Sequence, residues 1–339
     1  MKAGRIALRL VAVAALCGLL GEAVARQWLT SPSAQMGDAE LGWTWRPGAT
    51  VANHKEGRAR LHINARGLVD DELTPKGDRR RVIGLGNSFL EALQVDHAAQ
   101  YPTLLEAALA RPGQPGLDYV NAGRSAMGPP HYPLVSARLL DLQPDLWIVH
   151  LGEGDVLHLL GAQIQGGQVR PPPVAADRWK ARVAPIIDRS ALATYLMRRF
   201  KPLITRWLAP AGPAEPPLDD TTPQAAEVAV QRLTLILREL GDTAPVWVVH
   251  TPTLRYGVAG ATEDLAPHEG RIYRAAAQAA SARYVSAGPA LVASYQRTGQ
   301  PPVGFQNHTV GAGHLNAQGH QAVAEALQAP LRAWLEGRP

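Results

Sequence analysis

Two side chains in this sequence sit where acyl chemistry would need them. The short apolar run Val82–Leu85 leads straight into Gly86-Asn87-Ser88-Phe89. A serine directly after the carboxyl end of a strand occupies the place a nucleophile takes in an open α/β sheet. Gly86 permits the sharp turn that would expose its hydroxyl. The same position also suits a helix N-cap. The segment is not a Gly-x-Ser-x-Gly elbow, because residue 90 is leucine. Near the C-terminus, Gly311-Ala312-Gly313-His314-Leu315-Asn316 carries a histidine in a glycine-rich loop, which neither helix nor strand packing accounts for. Two further strand ends are polar. Tyr119-Val120 runs into Asn121-Ala122-Gly123 and then Arg124-Ser125-Ala126, and Leu146–Leu151 runs into Gly152-Glu153-Gly154-Asp155. Asp155 is the carboxylate that closes a strand beside this group, with Glu153 as a weaker substitute. Glu91, in the first turn after Ser88, reads as a helix-capping residue.

The elements that must position these residues can be read from the periodicity. From Arg81 onward, strand-type runs alternate with helical patterns over residues 101–110, 131–142, 224–240, 267–282 and 317–334, with further strands at 246–250 and 284–285. This alternation predicts a parallel sheet covered on both faces, with ligands gathering at the carboxyl ends of its strands. Residues 38–78 lack helical periodicity and contain Trp43, Trp45, Pro47, Gly48, Gly57 and Gly67, which predicts an irregular β-rich lead-in. The tryptophans could stack on sugars or pack the lead-in onto the main domain. Residues 161–223 interrupt the alternation with ten prolines in 63 residues. Within them, residues 192–208 form a basic amphipathic stretch. It reads either as a surface helix with a solvated basic face or as a lid or membrane-surface contact.

Composition narrows the function classes. The 339 residues are 46% apolar and 19% charged, enough to bury a sizeable core and incompatible with wholesale disorder. The net charge of +5 is mild, and no basic stripe interleaves with aromatics, which excludes a nucleic-acid reader. The only cysteine, Cys17, lies in an N-terminal apolar stretch, so the rest of the chain has no disulfide, thiol nucleophile or cysteine-based metal site. His308, His314 and His320 recur every six residues, which is not a metal-ligand spacing. No dinucleotide fingerprint or P-loop occurs, so no cofactor and no metal are expected. Arg79-Arg80-Arg81 reads as a solvated strand entry, or as an attractor for an anionic surface. Lys2, Arg5 and Arg9 precede the apolar run Leu10–Gly21, and Ala23-Val24-Ala25 follows. This pattern describes a signal peptide over residues 1–25 cleaved after Ala25, or an uncleaved membrane anchor. Both place the remainder outside the cytoplasm, in the periplasm or facing it from the membrane.

Taken in order, the three strand ends and the histidine loop resemble the SGNH (GDSL-like) hydrolases, serine esterases and acylhydrolases on a flavodoxin-like sheet. The resemblance runs from about Arg81 to Leu335, and His62-Ile63-Asn64-Ala65-Arg66-Gly67-Leu68 resembles the lead-in of exported bacterial members. It implies a three-layer α/β/α domain over residues 79–335 carrying the insertion 161–223. It also implies Ser88 as nucleophile and His314 as general base, with Asn121 and Gly123 in the second block. The blocks depart from the family pattern at four places. Asn87 stands where aspartate is usual, and Ala126 where the second block has its oxyanion-hole glycine. Gly154 replaces an asparagine that donates into the hole, and Gly311 replaces the aspartate that orients the histidine. A backbone carbonyl or Asp155 could then orient His314, and Asn87 or Asn121 could supply the missing donor. The implied function is a serine esterase, acylhydrolase or acyl transferase acting through an acyl-serine, with an O-acetylated extracellular glycan or exopolysaccharide as the substrate class. The alternative is a catalytically silent glycan-binding or envelope assembly protein on the same fold. Acyl chain length, hydrolysis versus transfer, and oligomeric state are not legible in the sequence.

Overall fold

The structure, a computed structural model, describes residues 2–29, 34–111, 116–173, 189–196, 199–200, 222–257, 260–264 and 268–337. Much of the insertion 161–223, including residues 201–208 of the basic amphipathic stretch, lies outside the described residues. The chain divides into two compact units, one of residues 1–46 and 174–216, the other of residues 47–173 and 217–339.

The first unit contains a long helix, α1 (Lys2–Val24), and an antiparallel hairpin of β1 (Gln35–Asp38) and β2 (Gly42–Trp45). Trp43 and Trp45 meet edge to face at 4.9 Å, and Trp45 is buried, so at least one of the pair serves packing.

The second unit opens with another hairpin, β3 (Thr50–Asn53) and β4 (Ala59–His62). The lead-in is therefore made of short paired strands. Buried Asn64 ties down the chain that follows, accepting from the N–H groups of Arg66 and Leu68 and donating to the Asp71 carbonyl. The main sheet uses β5 (Arg80–Gly86), β6 (Leu117–Asn121) and β7 (Leu146–Leu151). A small hairpin of β8 (Gln163–Gln165) and β9 (Gln168–Arg170) intervenes before β10 (Val246–His250). After the hairpin of β11 (Leu254–Gly257) and β12 (Gly260–Glu263) comes the last sheet strand, β13 (Arg283–Ser286). A hairpin of β14 (Val303–Gly304) and β15 (Val310–Leu315) leads into the closing helix Ala317–Leu335.

The sheet order is β13-β10-β7-β5-β6, and every neighbouring pair is parallel. Counted along the chain, this is the doubly wound order 2-1-3-4-5, so the fold is flavodoxin-like. All six residues of β7 are buried, as a strand covered on both faces requires. One face packs Val82, Ile148 and Val249 against Leu105, Leu291, Val323 and Leu327 of the helices Tyr101–Leu109, Gly288–Thr298 and Ala317–Leu335. The alternate residues Ile83, Trp147, Val149 and Val248 point to the other face. There the helices Pro223–Gly241 and Glu269–Ala279 supply Leu233, Ile236, Leu237, Ile272 and Tyr273.

Two sequence expectations are corrected. The helical pattern over 131–142 is broken into Pro129–His131, Tyr132–Ala137 and Leu140–Leu142, because Leu139 leaves the helical region and Gln143 turns left-handed. The arginine run is not a solvated strand entry at its last member. Arg81 is buried, its guanidinium donating to Asp118 at 2.8 Å and to the carbonyls of Leu142 and Thr74. These arginines meet internal carboxylates at the amino ends of the strands, opposite the polar strand ends.

Candidate active site

The carboxyl ends of β5, β6 and β7 carry the loops singled out above. Ser88 opens a four-residue helix, α2 (Ser88–Glu91), and the N-cap is Asn87, whose Oδ1 accepts the Phe89 N–H at 2.9 Å. Ser88 thus stands one residue inside the cap, with its hydroxyl free for another partner. That partner is His314, whose Nε2 lies 2.8 Å from Ser88 Oγ. His314 ends the β14–β15 hairpin, and Asn316 fixes it from behind. Asn316 caps the closing helix through Oδ1 and donates from Nδ2 to the carbonyls of Pro301 and Gly304.

The orienting carboxylate is one the sequence reading did not select. Glu56, in the turn between β3 and β4, places Oε2 2.5 Å from His314 Nδ1 and accepts the His314 backbone N–H on Oε1 at 2.7 Å. A carboxylate can only accept, so Nδ1 carries the proton and Nε2 is left to accept from Ser88. Asn307 holds the turn in place. Its Oδ1 accepts the Gly57 N–H, and its Nδ2 donates to the carbonyls of Gly57 and His54. Two glycines make the approach possible. A Cβ on Gly57 would lie 2.2 Å from the Gln94 carbonyl oxygen, and one on Gly313 would lie 2.3 Å from Glu56 Oε1. Gly313→Ala is therefore expected to displace Glu56 and cut any esterase activity by a factor approaching that of losing Glu56 itself. A kcat comparison of the two variants on an aryl acetate checks this.

Asp155 does not reach His314. Its Oδ2 accepts from Asn87 Nδ2 at 3.1 Å and from the Gly152 N–H at 2.9 Å, beneath the serine loop. Its role there is to hold the turn that carries Ser88. Both proposed donors, Asn87 and Asn121, are engaged elsewhere, and so is the Gly154 N–H. Asn87 donates to Asp155. Asn121 is buried, donating from Nδ2 to the Leu90 carbonyl and accepting the Gly123 N–H on Oδ1. The Gly154 N–H donates to Glu269 Oε1 at 2.9 Å. Gly123 is needed for close approach, since a Cβ there would lie 2.4 Å from the Glu91 nitrogen. Glu91 is buried and accepts from both the N–H and the hydroxyl of Ser125, fixing the loop that presents Ala126. Ala126 is exposed at φ +62°, a left-handed conformation that favours glycine. Gly311 is likewise left-handed, and a side chain there would face the Tyr256 ring rather than His314.

No family model and no curated protein matches the sequence. Solved structures do. LAE5, an alpha/beta hydrolase enzyme from the metagenome of Lake Arreo, Spain, is 16% identical at a TM-score of 0.41, covering 76% of this chain and 97% of that one. Axe2, an acetylxylan esterase from Geobacillus stearothermophilus, is 12% identical at 0.41, covering 78% and 98%. TesA is 16% identical at 0.40, covering 74% and 98%. At these identities the likeness is one of fold.

At the carboxyl ends of β10 and β13 opens a cavity of 460 Å³ lined by His250, Glu263, Glu269, Arg271, Arg274 and Tyr284, among others, with neither Ser88 nor His314 in its lining. Two strand spacings, about 10 Å, separate β10 from β5. Behind His314 lies a row of rings. Phe89 packs on His314 at 5.5 Å, and Tyr101 contacts both His150 and His320. Burial pushes His150 and His320 down to about 3 and His250 down to about 4, so all three are neutral. Burial pushes Asp155 and Asp70 up to about 8.

These shifts fix a pH profile for stability. The raised aspartates hold protons in the folded chain that the unfolded chain has lost, so their contribution fades as pH rises towards 8. The depressed histidines work in the opposite sense, and their contribution fades as pH falls from about 6.5 towards 3. A broad maximum at about pH 5 to 6.5 is expected, with a melting temperature that declines from pH 6 to pH 8. Asp155→Asn should shrink that alkaline decline. A profile flat from pH 6 to 8 in the wild type would contradict it.

Proposed function

We propose that this protein is a serine ester hydrolase working through an acyl-serine intermediate. The observation that carries the reading is His314, bridged between Ser88 Oγ on one ring nitrogen and Glu56 on the other. Ser88 attacks the ester carbonyl carbon and passes its proton to His314 Nε2, while Glu56 stabilises the imidazolium through Nδ1–H. The tetrahedral oxyanion needs donors already in place. The backbone N–H groups of Ser88 and Ala126 have no partner among the described residues, unlike the side chains and N–H groups engaged elsewhere in the site. They are the donors assigned to the hole. His314 then returns the proton to the leaving alkoxide, and a water activated by the same nitrogen hydrolyses the acyl-serine.

An O-acetylated glycan outside the cytoplasm is the substrate class assigned. The resemblance to exported family members and the N-terminal apolar helix support it. The cavity at the carboxyl ends of β10 and β13, on the same edge of the sheet as Ser88, carries carboxylates, guanidinium groups and hydroxyls that suit a hydroxyl-rich chain. An acceptor hydroxyl in place of water would make the same intermediate serve acyl transfer. The test is acetate release from O-acetylated polysaccharides and from an aryl acetate, each with and without an added polysaccharide acceptor. Release from neither, by folded protein, would overturn the hydrolase reading.

A further inference from the structure

The unit of residues 1–46 and 174–216 bears on whether the first 25 residues leave the protein. Arg9–Gln27 gives 19 residues apolar and long enough to cross a membrane, which at 1.5 Å per residue matches a hydrocarbon core of about 30 Å. Over residues 9–20 its side chains are exposed on every face, with Leu10 and Val11 each 66% exposed and Leu19 70% exposed. A cleaved signal sequence would share those features. The far end of the helix is different.

There, Glu22 is fastened to a segment almost 170 positions away. Its carboxylate accepts the Ser190 hydroxyl at 2.7 Å and the backbone N–H groups of Ala191 and Leu192 at 2.9 Å each. These are the first donors of the helix over residues 191–196, which has no preceding turn to satisfy them. Arg26, one turn on, donates to Glu22 at 2.7 Å and to the Arg189 carbonyl at 2.9 Å. Gly21 gives the room, since a Cβ there would lie 3.0 Å from Leu192 Cδ2. The Ala23-Val24-Ala25 site lies within continuous helical structure, and Ala25 is fully buried. Proteolytic cleavage concentrates in exposed, flexible chain. Cleavage after Ala25 would discard the carboxylate that caps residues 190–192.

We propose that α1 is retained in the mature protein as a membrane anchor, with the acyl chains of a bilayer as its occupant and Glu22 joining it to residues 189–196. Lys2, Arg5 and Arg9 at the amino end set its orientation, with that end in the cytoplasm and the following residues on the opposite side. Leu196 and Phe200 are 42% and 46% exposed, and the exposed Arg199 precedes Phe200. That composition suits the lipid interface next to the anchor. The inference is independent of the esterase reading.

The test uses the full chain with a C-terminal tag, expressed in a bacterium. Membranes are washed with alkaline carbonate and the protein is read by intact mass. Retention predicts a carbonate-resistant protein whose mass includes residues 2–25. A mass starting at Arg26, or release by carbonate, would overturn the proposal. The contact itself is read with Gly21→Cys and Leu192→Cys combined in a Cys17→Ser background and a short bismaleimide. Cross-linking in the membrane is expected, falling several-fold when Glu22→Ala is added. An anchored protein with no cross-link would overturn the role given to Glu22.

Discussion

Replacing Ser88 with alanine is expected to remove all covalent labelling by a fluorophosphonate, where the wild-type chain gains one phosphonyl group by intact mass. The reason is geometric. Ser88 Oγ is the hydroxyl that sits 2.8 Å from an imidazole nitrogen freed to accept its proton. Labelling and ester turnover should vanish together, and the fold should persist, because Asn87 rather than Ser88 caps α2. The kcat should fall to what the backbone donors and substrate binding alone supply, about 10³- to 10⁴-fold above the uncatalysed reaction in the serine-protease template. An adduct that survives in Ser88→Ala would place the nucleophile elsewhere and sink the mechanism.

Glu56→Gln should be the second most damaging change, lowering kcat by about 10⁴-fold, the loss that a wrong histidine tautomer causes in serine proteases. The backbone makes this prediction sharp. The His314 N–H donates to Oε1, so a glutamine must keep its carbonyl oxygen there and turn its NH₂ towards Nδ1. Nδ1 would then accept, the ring proton would move to Nε2, and Nε2 could no longer take the Ser88 proton. Glu56→Ala leaves Nδ1 free to find water and is expected to be no worse than the glutamine variant. Asp155→Asn supplies the contrast. Asp155 touches Asn87 and Gly152, not His314. That substitution should leave kcat within about tenfold of wild type while changing the alkaline stability profile. A ranking with Asp155→Asn below Glu56→Gln would return the orienting role to Asp155.

The sequence exposes the fold through features that act over a few residues. Apolar runs such as Val82–Leu85 and Leu146–Leu151 are uninterrupted because both faces of their strands are covered. The Gly311–Asn316 loop stands out because its composition suits neither helix nor strand. Short-range turn chemistry likewise singles out the cap at Asn316. The pattern fails at 131–142, where leucines at helical spacing lie in separate short turns and the backbone breaks at Leu139.

The candidate site divides along the same line. Ser88 and His314 are legible because each stands out in its own loop. Glu56 is not, since a glutamate in a polar turn between Asn53 and Gly57 looks like any exposed turn residue. Its partner lies 258 positions away, and no periodicity links the two.

Local pattern alone thus determines a parallel sheet covered on both faces, its polar strand ends and the apolar helix near the N-terminus, because each depends on neighbours within one or two turns of chain, whereas the strand order is set by tertiary pairing. The docking of the β3–β4 turn is decided only in three dimensions, by Asn307 and by the space that Gly57 and Gly313 leave. Hydrogen-bond directions are decided there too. Burial commits the Asn121 side chain to internal partners, and the fold brings Glu269 to the Gly154 N–H. A buried polar group must be satisfied by whatever the fold brings within about 3 Å, and that neighbour is set by packing rather than by position in the sequence.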